Sequence, residues 1–253
     1  MAYLRNPLAW HKRYVEGVYD TPSGPASFIG RAGHVALQHF YSGMEKSAST
    51  DLGLEYLKRV SDFEIDFGVA TTARAQKIKR IKMEQEYLRA ISYYLARPPR
   101  YKVLGIEYSA LAEVSGLPLP LKAISDLVVE SKDDPGAVDI VDHKFVDSFS
   151  ALGSEKPLFI LQAIFNFYTV RAGFGKPVKR FILQECKKRK NKNGRSQMRR
   201  HVIRYDALDD EFRLFHRLIQ DATADIATRK VYLPNPSDMF EGKNSFDVYR
   251  LGL

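Results

Sequence analysis

Two acids and a lysine near the middle of the chain are spaced as a hydrolytic site would need them. Asp126 interrupts the apolar run Leu121–Val129. Asp142 interrupts the run Ala137–Phe145, with Lys144 two residues further on. On a strand, Asp142 and Lys144 project from the same face. The stretch between the runs, Lys132-Asp133-Asp134-Pro135-Gly136, is turn-forming, so the two arms read as a β-hairpin. Two carboxylates and an ammonium on one sheet surface are costly to bury unless something compensates them. A divalent cation would do so. Oxygen ligands of this kind hold Mg²⁺ or Mn²⁺. Such an ion polarises a phosphoryl oxygen and lowers the pKa of bound water. A neighbouring lysine orients or deprotonates that water and offsets charge in the transition state. The chemistry that wants this set is phosphodiester hydrolysis. The plain alternative is a surface hairpin with solvated charges at its rim.

The carboxylate–x–lysine triplet alone is weakly informative, because the chain contains four: Glu130-Ser-Lys132, Asp142-His-Lys144, Glu185-Cys-Lys187 and Glu241-Gly-Lys243. Context selects Asp142-His143-Lys144, which ends an apolar strand whose hairpin mate carries Asp126. Glu130 runs into the turn and Glu241 lies in a loop. Glu185-Cys186-Lys187, on a strand of its own, is the serious rival. Glu107, on the strand before the hairpin, is a further acid that would stand behind the site.

The elements that must position these groups follow from periodicity. Asn6-Pro7 with Leu8, Trp10, Tyr14 and Val15 predicts a short helix with proline in its first turn. Residues 26–42 recur at helical spacing, and Gly30 and Gly33 there cost about 1 kcal/mol each unless a neighbour approaches closely. His34 and Gly30 share a face. Residues 50–68 hold a short helical pattern and Thr71–Arg97 a long one, stopped by Pro98-Pro99. Residues 101–114 read as a strand, followed by the hairpin. Phe159–Ala172 reads as a buried helix, 178–187 and His201–Tyr205 as paired strands, and Asp209–Lys230 as a helix with an irregular tail from Val231. The expected class is α/β: a central mixed β-sheet flanked by helices, with extra helices at the N-terminal end.

The chain has 253 residues, 45% hydrophobic and 27% charged, enough for a sizeable core. It reads as a single domain over 1–253: a mainly helical part to residue 100, a sheet core over 101–205, and a C-terminal helix and tail over 206–253. One cysteine, Cys186, excludes an internal disulfide framework and a four-cysteine metal site. No apolar stretch spans a bilayer and no secretory leader opens the chain, so the expectation is a cytoplasmic protein without a membrane partner. The net charge is +9, which favours an anionic partner, nucleic acid first. Much of that charge is clustered in Lys187, Lys188, Arg189, Lys190, Lys192, Arg195, Arg199 and Arg200, on a hairpin and its tip. These residues read either as a solvated loop or as a phosphate-binding flap giving salt-dependent, sequence-neutral affinity. Lys77, Lys79, Arg80 and Lys82 would extend that surface.

In order and spacing, several short motifs resemble the PD-(D/E)xK nuclease superfamily, in particular its RecB-like exonuclease branch. They are Gly30-x-x-x-His34 on a helix, Asp126 at a strand end, Asp142-His143-Lys144 on the next strand, and Gln162 with a later Tyr168 on the following helix. The opening Asn6-Pro7…Trp10…Tyr14 looks like the branch's cysteine–proline–aromatic start. The resemblance covers roughly residues 1–187 and implies a restriction-endonuclease-like core of order αβββαβ. It also implies that His34, Asp126 and Asp142 are metal ligands, joined by the backbone carbonyl of His143. Asp126, Asp142, Lys144 and Gln162 would be the catalytic set, and Tyr168 and the basic flap would meet DNA.

The chain departs from the pattern in two places. Asn6 replaces the branch's cysteine and the tail has none, so no iron–sulfur cluster is expected. The residue four after Gln162 is Asn166, with Tyr168 two further on.

The resulting expectation is a stand-alone, Mg²⁺- or Mn²⁺-dependent DNA exonuclease of recombination, repair or phage DNA processing, acting on single- or double-stranded ends. It would act in a bacterial or phage-infected host cell, with a recombination or single-strand-binding protein as a possible partner. A structure-specific endonuclease and a catalytically silent DNA-binding protein on the same fold stay open as alternatives.

Overall fold

The computed structural model describes residues 2–18, 22–150, 157–191 and 195–233. These fall into two compact units. The larger runs over Ser23–Ser115 and Leu119–Phe212; the smaller draws on residues up to Pro22, on Gly116–Pro118 and on residues from Arg213 onward.

The larger unit is built on one five-stranded sheet with β1 (Val103–Ala112), β2 (Leu121–Glu130), β3 (Val138–Val146), β4 (Val178–Lys187) and β5 (Met198–Arg204) side by side in that order. Pairing is antiparallel except between β3 and β4, which run parallel and are joined through helix α6 (Pro157–Phe174). A parallel pair needs such a long crossover. β3, VDIVDHKFV, is central and buried along its first six residues, which explains its near-continuous apolar run. Along β3 and β4 the register alternates faces: Ile140 opposite Phe181 packs on the α6 side, and Phe145 opposite Cys186 packs on the other.

That other face is covered by α3 (Pro25–Tyr41), α4 (Lys46–Arg59) and α5 (Ala73–Ala96). α5 is N-capped by Thr72 and stops before Pro98-Pro99. The pattern over 50–68 resolves differently from expectation: α4 starts earlier, at Lys46, and a separate 3₁₀ turn, Asp62–Glu64, is closed by a capping box from Ser61. β5 likewise starts at Met198 rather than His201.

Close packing explains one of the two α3 glycines. A Cβ on Gly33 would lie 2.1 Å from the Phe145 ring, whereas one on Gly30 would meet nothing within 4 Å. Gly33 therefore lets α3 lie directly on β3, and Gly30 leaves open space one turn before His34. Gly33→Ala should destabilise the chain by about 1–3 kcal/mol, the usual cost of overpacking, despite the gain in helix propensity. A lowered urea midpoint would show it, and an unchanged midpoint would contradict this packing.

The smaller unit holds α1 (Ala2–Arg5), α2 (Pro7–Tyr14) and most of α7 (Asp209–Thr228). Asn6 caps α2 through Ala9 N–H at 3.0 Å, with Pro7 at the first position, as the sequence predicts; α1 is a separate short helix before it. Tyr3 O–H donates to Asp225, which also pairs with Arg229 at 2.6 Å, and His11 stacks on Tyr232 at 4.1 Å. The rest of the expected tail, residues 234–253, lies outside the described residues. No helix among the described residues is long and apolar enough to cross a membrane.

Candidate active site

The β2–β3 ladder runs from Glu130↔Val138 to Leu127↔Val141 and stops. Continued in the same register, the next pair would be Asp126 opposite Asp142. β3 remains paired with β4 as far as Val146, so β2 and β3 part at the two acids. The Asp126 carboxylate takes over where the ladder ends: its Oδ2 accepts the backbone N–H of His143 at 2.7 Å.

Three further groups converge there. His34, brought in by α3, places Nδ1 3.3 Å from Asp126 Oδ2. Lys144 Nζ lies 3.0 Å from Asp142 Oδ1, to which it donates a hydrogen bond, and 2.8 Å from Oδ2. The Oδ2 approach is an ion-pair distance without hydrogen-bond direction, and no hydrogen bond reaches that buried oxygen. Gln162 on α6 donates Nε2–H to Asp142 Oδ1 at 2.6 Å. α6 is otherwise almost wholly apolar. Its second amide, Asn166, one turn on, accepts from Ser125 Oγ at 3.2 Å, beside Asp126. One helix face thus pins both parted strands.

The group that sequence reasoning placed only behind the site is Glu107. It sits on β1 between the pairs Ile106↔Leu127 and Tyr108↔Ser125, opposite Asp126. It has φ +45°, the only positive φ outside glycine among the described residues. A side chain in that region costs about 1–2 kcal/mol. The turn brings a Glu107 oxygen together with ligand atoms of His34 and Asp126, all within 4.8 Å of one another. No sequence signal carries this, because it depends on the register of β1 against β2.

Electrostatics separate the four titrating groups. Burial favours neutral Asp126, but the hydrogen-bonding groups of His143 and His34 outweigh it and hold that carboxyl far below its usual range. Burial, then the charge of Asp126, raises Asp142 against the opposing pull of Lys144. Glu107 is raised by burial and then by Asp126. His34 is raised: burial pulls it down, but the hydrogen bond and charge of Asp126 win. Two acids pushed up beside a third held ionised is a site short of positive charge. That shortage, and the His34–Glu107–Asp126 grouping, fit a divalent cation with nitrogen and oxygen ligands. Asp142, expected as a ligand, lies outside that trio and is engaged by Lys144 and Gln162.

The remaining expected residues are placed as follows. The His143 side chain is buried and bonds Tyr94 O–H through Nε2 at 2.8 Å. Tyr168 packs edge-on against Phe167 and Phe212 rather than beside the acids; Asn166 holds the site-facing position. In the basic hairpin, Arg189, Lys190 and Arg195 are exposed. Lys188 does not belong to an open flap: it is 3% exposed and pairs with Asp147 at 3.0 Å. Lys187 bonds Asn191 at 2.7 Å, and Arg199 lies over the Phe149 ring and donates to Ser150 O at 3.0 Å. Lys192 lies outside the described residues. Lys79 and Arg80 are spent internally as well, on the carbonyls of Phe67 and of Leu57 and Val60. The rival Glu185 is engaged elsewhere: the N–H and Oγ–H of Ser150 and Nε2 of His201 all reach its carboxylate. Its carboxylate is held by partners on both oxygens and faces Ser150 and His201 rather than the paired acids.

A mixed five-stranded α/β sheet that parts at paired acids, with a lysine two residues beyond the second, is an arrangement suited to metal-assisted hydrolysis. The PD-(D/E)XK nuclease superfamily model matches residues 1–239, and the chain belongs to that superfamily. Among solved structures it is similar to one described as "Crystal structure of SSO0001", at 13% identity over 84% of this chain and 79% of that chain, with a TM-score of 0.33. No curated protein matches it.

A prediction in pH follows from the His34–Asp126 pair. In metal-free protein its stabilisation is full below the unfolded imidazole pKa of about 6.5 and is lost as pH rises through the raised folded value. An ion needs the neutral ring, so proton and metal compete. The rise in Tm produced by Mn²⁺ should therefore grow from pH 6 to pH 8, and grow less in His34→Ala. An equal slope in both would remove His34 from the ligand set.

Proposed function

We propose that this chain is a metal-dependent DNA exonuclease of the RecB-like kind, and that both compact units serve one nuclease domain. The observation that carries the reading is the parting of β2 and β3 at Asp126 and Asp142, with Lys144 on one acid and His34 and Glu107 at the other. The family model running across both units supports treating them as one functional domain.

His34, Glu107 and Asp126 would hold the ion, with Asp142 and the His143 carbonyl as further oxygen donors. Mg²⁺ or Mn²⁺ bound there would polarise the scissile phosphate and acidify water. The chain's own groups do the rest. Lys144 orients the attacking water, and its charge offsets the charge gathering on the phosphoryl oxygens. The water oxygen bonds to phosphorus and gives up one proton to solvent, the bond to the leaving oxygen breaks, and that oxygen takes up a proton from solvent, so no net proton is consumed. Asp142 holds the Lys144 ammonium, and Gln162 holds Asp142. Arg189, Lys190 and Arg195 supply phosphate contacts without reading bases. The net charge of +9 supports a polyanionic substrate. Recombination, repair or phage DNA processing in the cytoplasm, with a single-strand-binding or recombination partner, is the setting this activity fits.

The test is a product ladder from 5′- and 3′-labelled single- and double-stranded DNA with Mg²⁺, Mn²⁺ or EDTA. Stepwise shortening that EDTA abolishes is the expected result. Cutting of a closed single-stranded circle would replace the exonuclease by an endonuclease. Binding without cutting under either metal would sink the enzymatic reading.

A further inference from the structure

Behind Asp126, on the side away from Lys144, lies a row of buried polar groups that the hydrolytic scheme does not use. His143 is 2% exposed and its Nδ1 lies 3.6 Å from Asp126 Oδ2. Its Nε2 is 2.8 Å from Tyr94 O–H. Tyr94, from α5, is fully buried, and its hydroxyl is 2.8 Å from that of Tyr41 on α3. Tyr41 O–H also lies 3.2 Å from the carbonyl of Pro99. The rings are packed as well as bonded: Tyr41 stacks on His143 with centroids 5.8 Å apart, and Tyr94 meets it edge-on at 5.4 Å.

The two hydroxyls supply two protons, so the row has a direction. If it ran towards Pro99, His143 would donate from Nε2 and a neutral ring would turn a bare Nδ1 lone pair onto an ionised carboxylate. If it runs towards His143, Tyr94 donates to Nε2, and the one proton of Tyr41 serves either Tyr94 or the Pro99 carbonyl. The ring proton then sits on Nδ1, facing Asp126. For a neutral ring the first arrangement sets a lone pair against an ionised carboxylate, whereas the second leaves at most one contact between neutral oxygens without a proton, so the second is favoured. The ring Nδ1–H then faces Asp126 Oδ2 across 3.6 Å, an ion-pair approach, beside the backbone N–H that bonds the same oxygen at 2.7 Å.

We propose that Tyr94, braced by Tyr41, is a positioning residue that acts through the His143 ring to set the orientation of Asp126 for metal binding. The proposal rests on the metal reading given above. It assigns the His143 side chain a task separate from that of its backbone carbonyl. Tyr94→Phe removes one oxygen from a packed ring and leaves the ring contacts in place, so it isolates the hydroxyl.

Two measurements decide it. In metal-free protein labelled with ¹⁵N-histidine, long-range ¹H–¹⁵N spectra should show His143 protonated at Nδ1, and Tyr94→Phe should lose that single tautomer. Mn²⁺ titration by calorimetry should give a dissociation constant about tenfold or more higher in Tyr94→Phe, the usual scale for groups that orient ligands. In a His143→Phe background the same tyrosine change should add nothing. An Nε2-protonated His143 in the wild type overturns the proposal. So does unchanged Mn²⁺ affinity in Tyr94→Phe, or an equal loss in the His143→Phe background. A wild-type chain binding no Mn²⁺, or binding it as well after Asp126→Ala, overturns the metal reading instead, and the spectra, taken without metal, still decide the tautomer.

Discussion

Lys144→Ala should lower the cleavage rate by about 10²–10⁴-fold, the range that a positioned proton-handling or charge-offsetting group supplies, while DNA binding persists. The separation follows from where the lysine sits. Its Nζ is committed to the Asp142 carboxylate at 2.8–3.0 Å, and Lys144 is one charge among 39 lysines and arginines. Removing it should barely change the affinity that phosphate contacts provide. Asp142→Ala should be at least as damaging, because it releases both Lys144 and Gln162. Lys144→Arg should not restore the rate, since a planar guanidinium cannot reproduce the compact ammonium at that carboxylate. Single-turnover cleavage with saturating enzyme reads the rate, and filter binding at matched salt reads affinity. Full Mg²⁺-dependent cleavage by either alanine variant would remove the Asp142–Lys144 pair from the reaction.

The second large effect is expected at Glu107, with opposite signs for stability and function. Its backbone has φ +45° and its carboxyl is raised by burial and by Asp126, so fold and charge both work against it in metal-free protein. Glu107→Gly should relieve the backbone cost of about 1–2 kcal/mol. The extra freedom of glycine in the unfolded chain takes back about 0.5–1 kcal/mol. Loss of the repulsion favours the folded form further, since a carboxyl with a raised pKa destabilises the fold wherever it is ionised. The urea midpoint should therefore rise. Mn²⁺ affinity should fall by about 10²-fold, with cleavage following, because an oxygen ligand is gone and the site is left with fewer charges to hold the ion. Glu107→Gln keeps the strain and should lose affinity without gaining the full stability. A glycine variant less stable than wild type, or one that binds Mn²⁺ unchanged, would contradict the assignment. This is the expected signature of strain retained for function.

The hairpin was readable because its determinants are local: β-branched runs, a Lys-Asp-Asp-Pro-Gly turn, and acids that an apolar strand would not otherwise carry. Gly30-x-x-x-His34 was readable for the same reason, since one helical turn fixes the spacing. What was hidden depends on partners distant in the chain. Glu107 joins the site through strand register and a left-handed backbone angle, neither of which composition reveals. Lys188 looked like part of a solvated flap, yet it turns inward to Asp147. Lys79 and Arg80 looked like free surface charge, yet they satisfy carbonyls of the segments before α5. Glu185-Cys186-Lys187 has the same carboxylate–x–lysine spacing as the chosen triplet; the hairpin acid favours Asp142 in sequence, and the hydrogen bonds on Glu185 show in the structure what its carboxylate does instead. Tyr168 was attractive as an aromatic near a glutamine, but helical phase gives the site-facing position to Asn166.

Cys186 lies opposite Phe145, 1% exposed beneath α5, with its thiol directed at the carbonyl of Ala90 and burial pushing its pKa to about 12. A thiol that is neither ionised nor reachable does not react with maleimides or mild oxidants, and the chain has no other. The wild-type protein is therefore already a blank background for labelling chemistry. A single cysteine introduced at exposed Arg189 or Arg195 would carry a fluorophore alone, and the approach of nucleic acid could be timed without rebuilding the core.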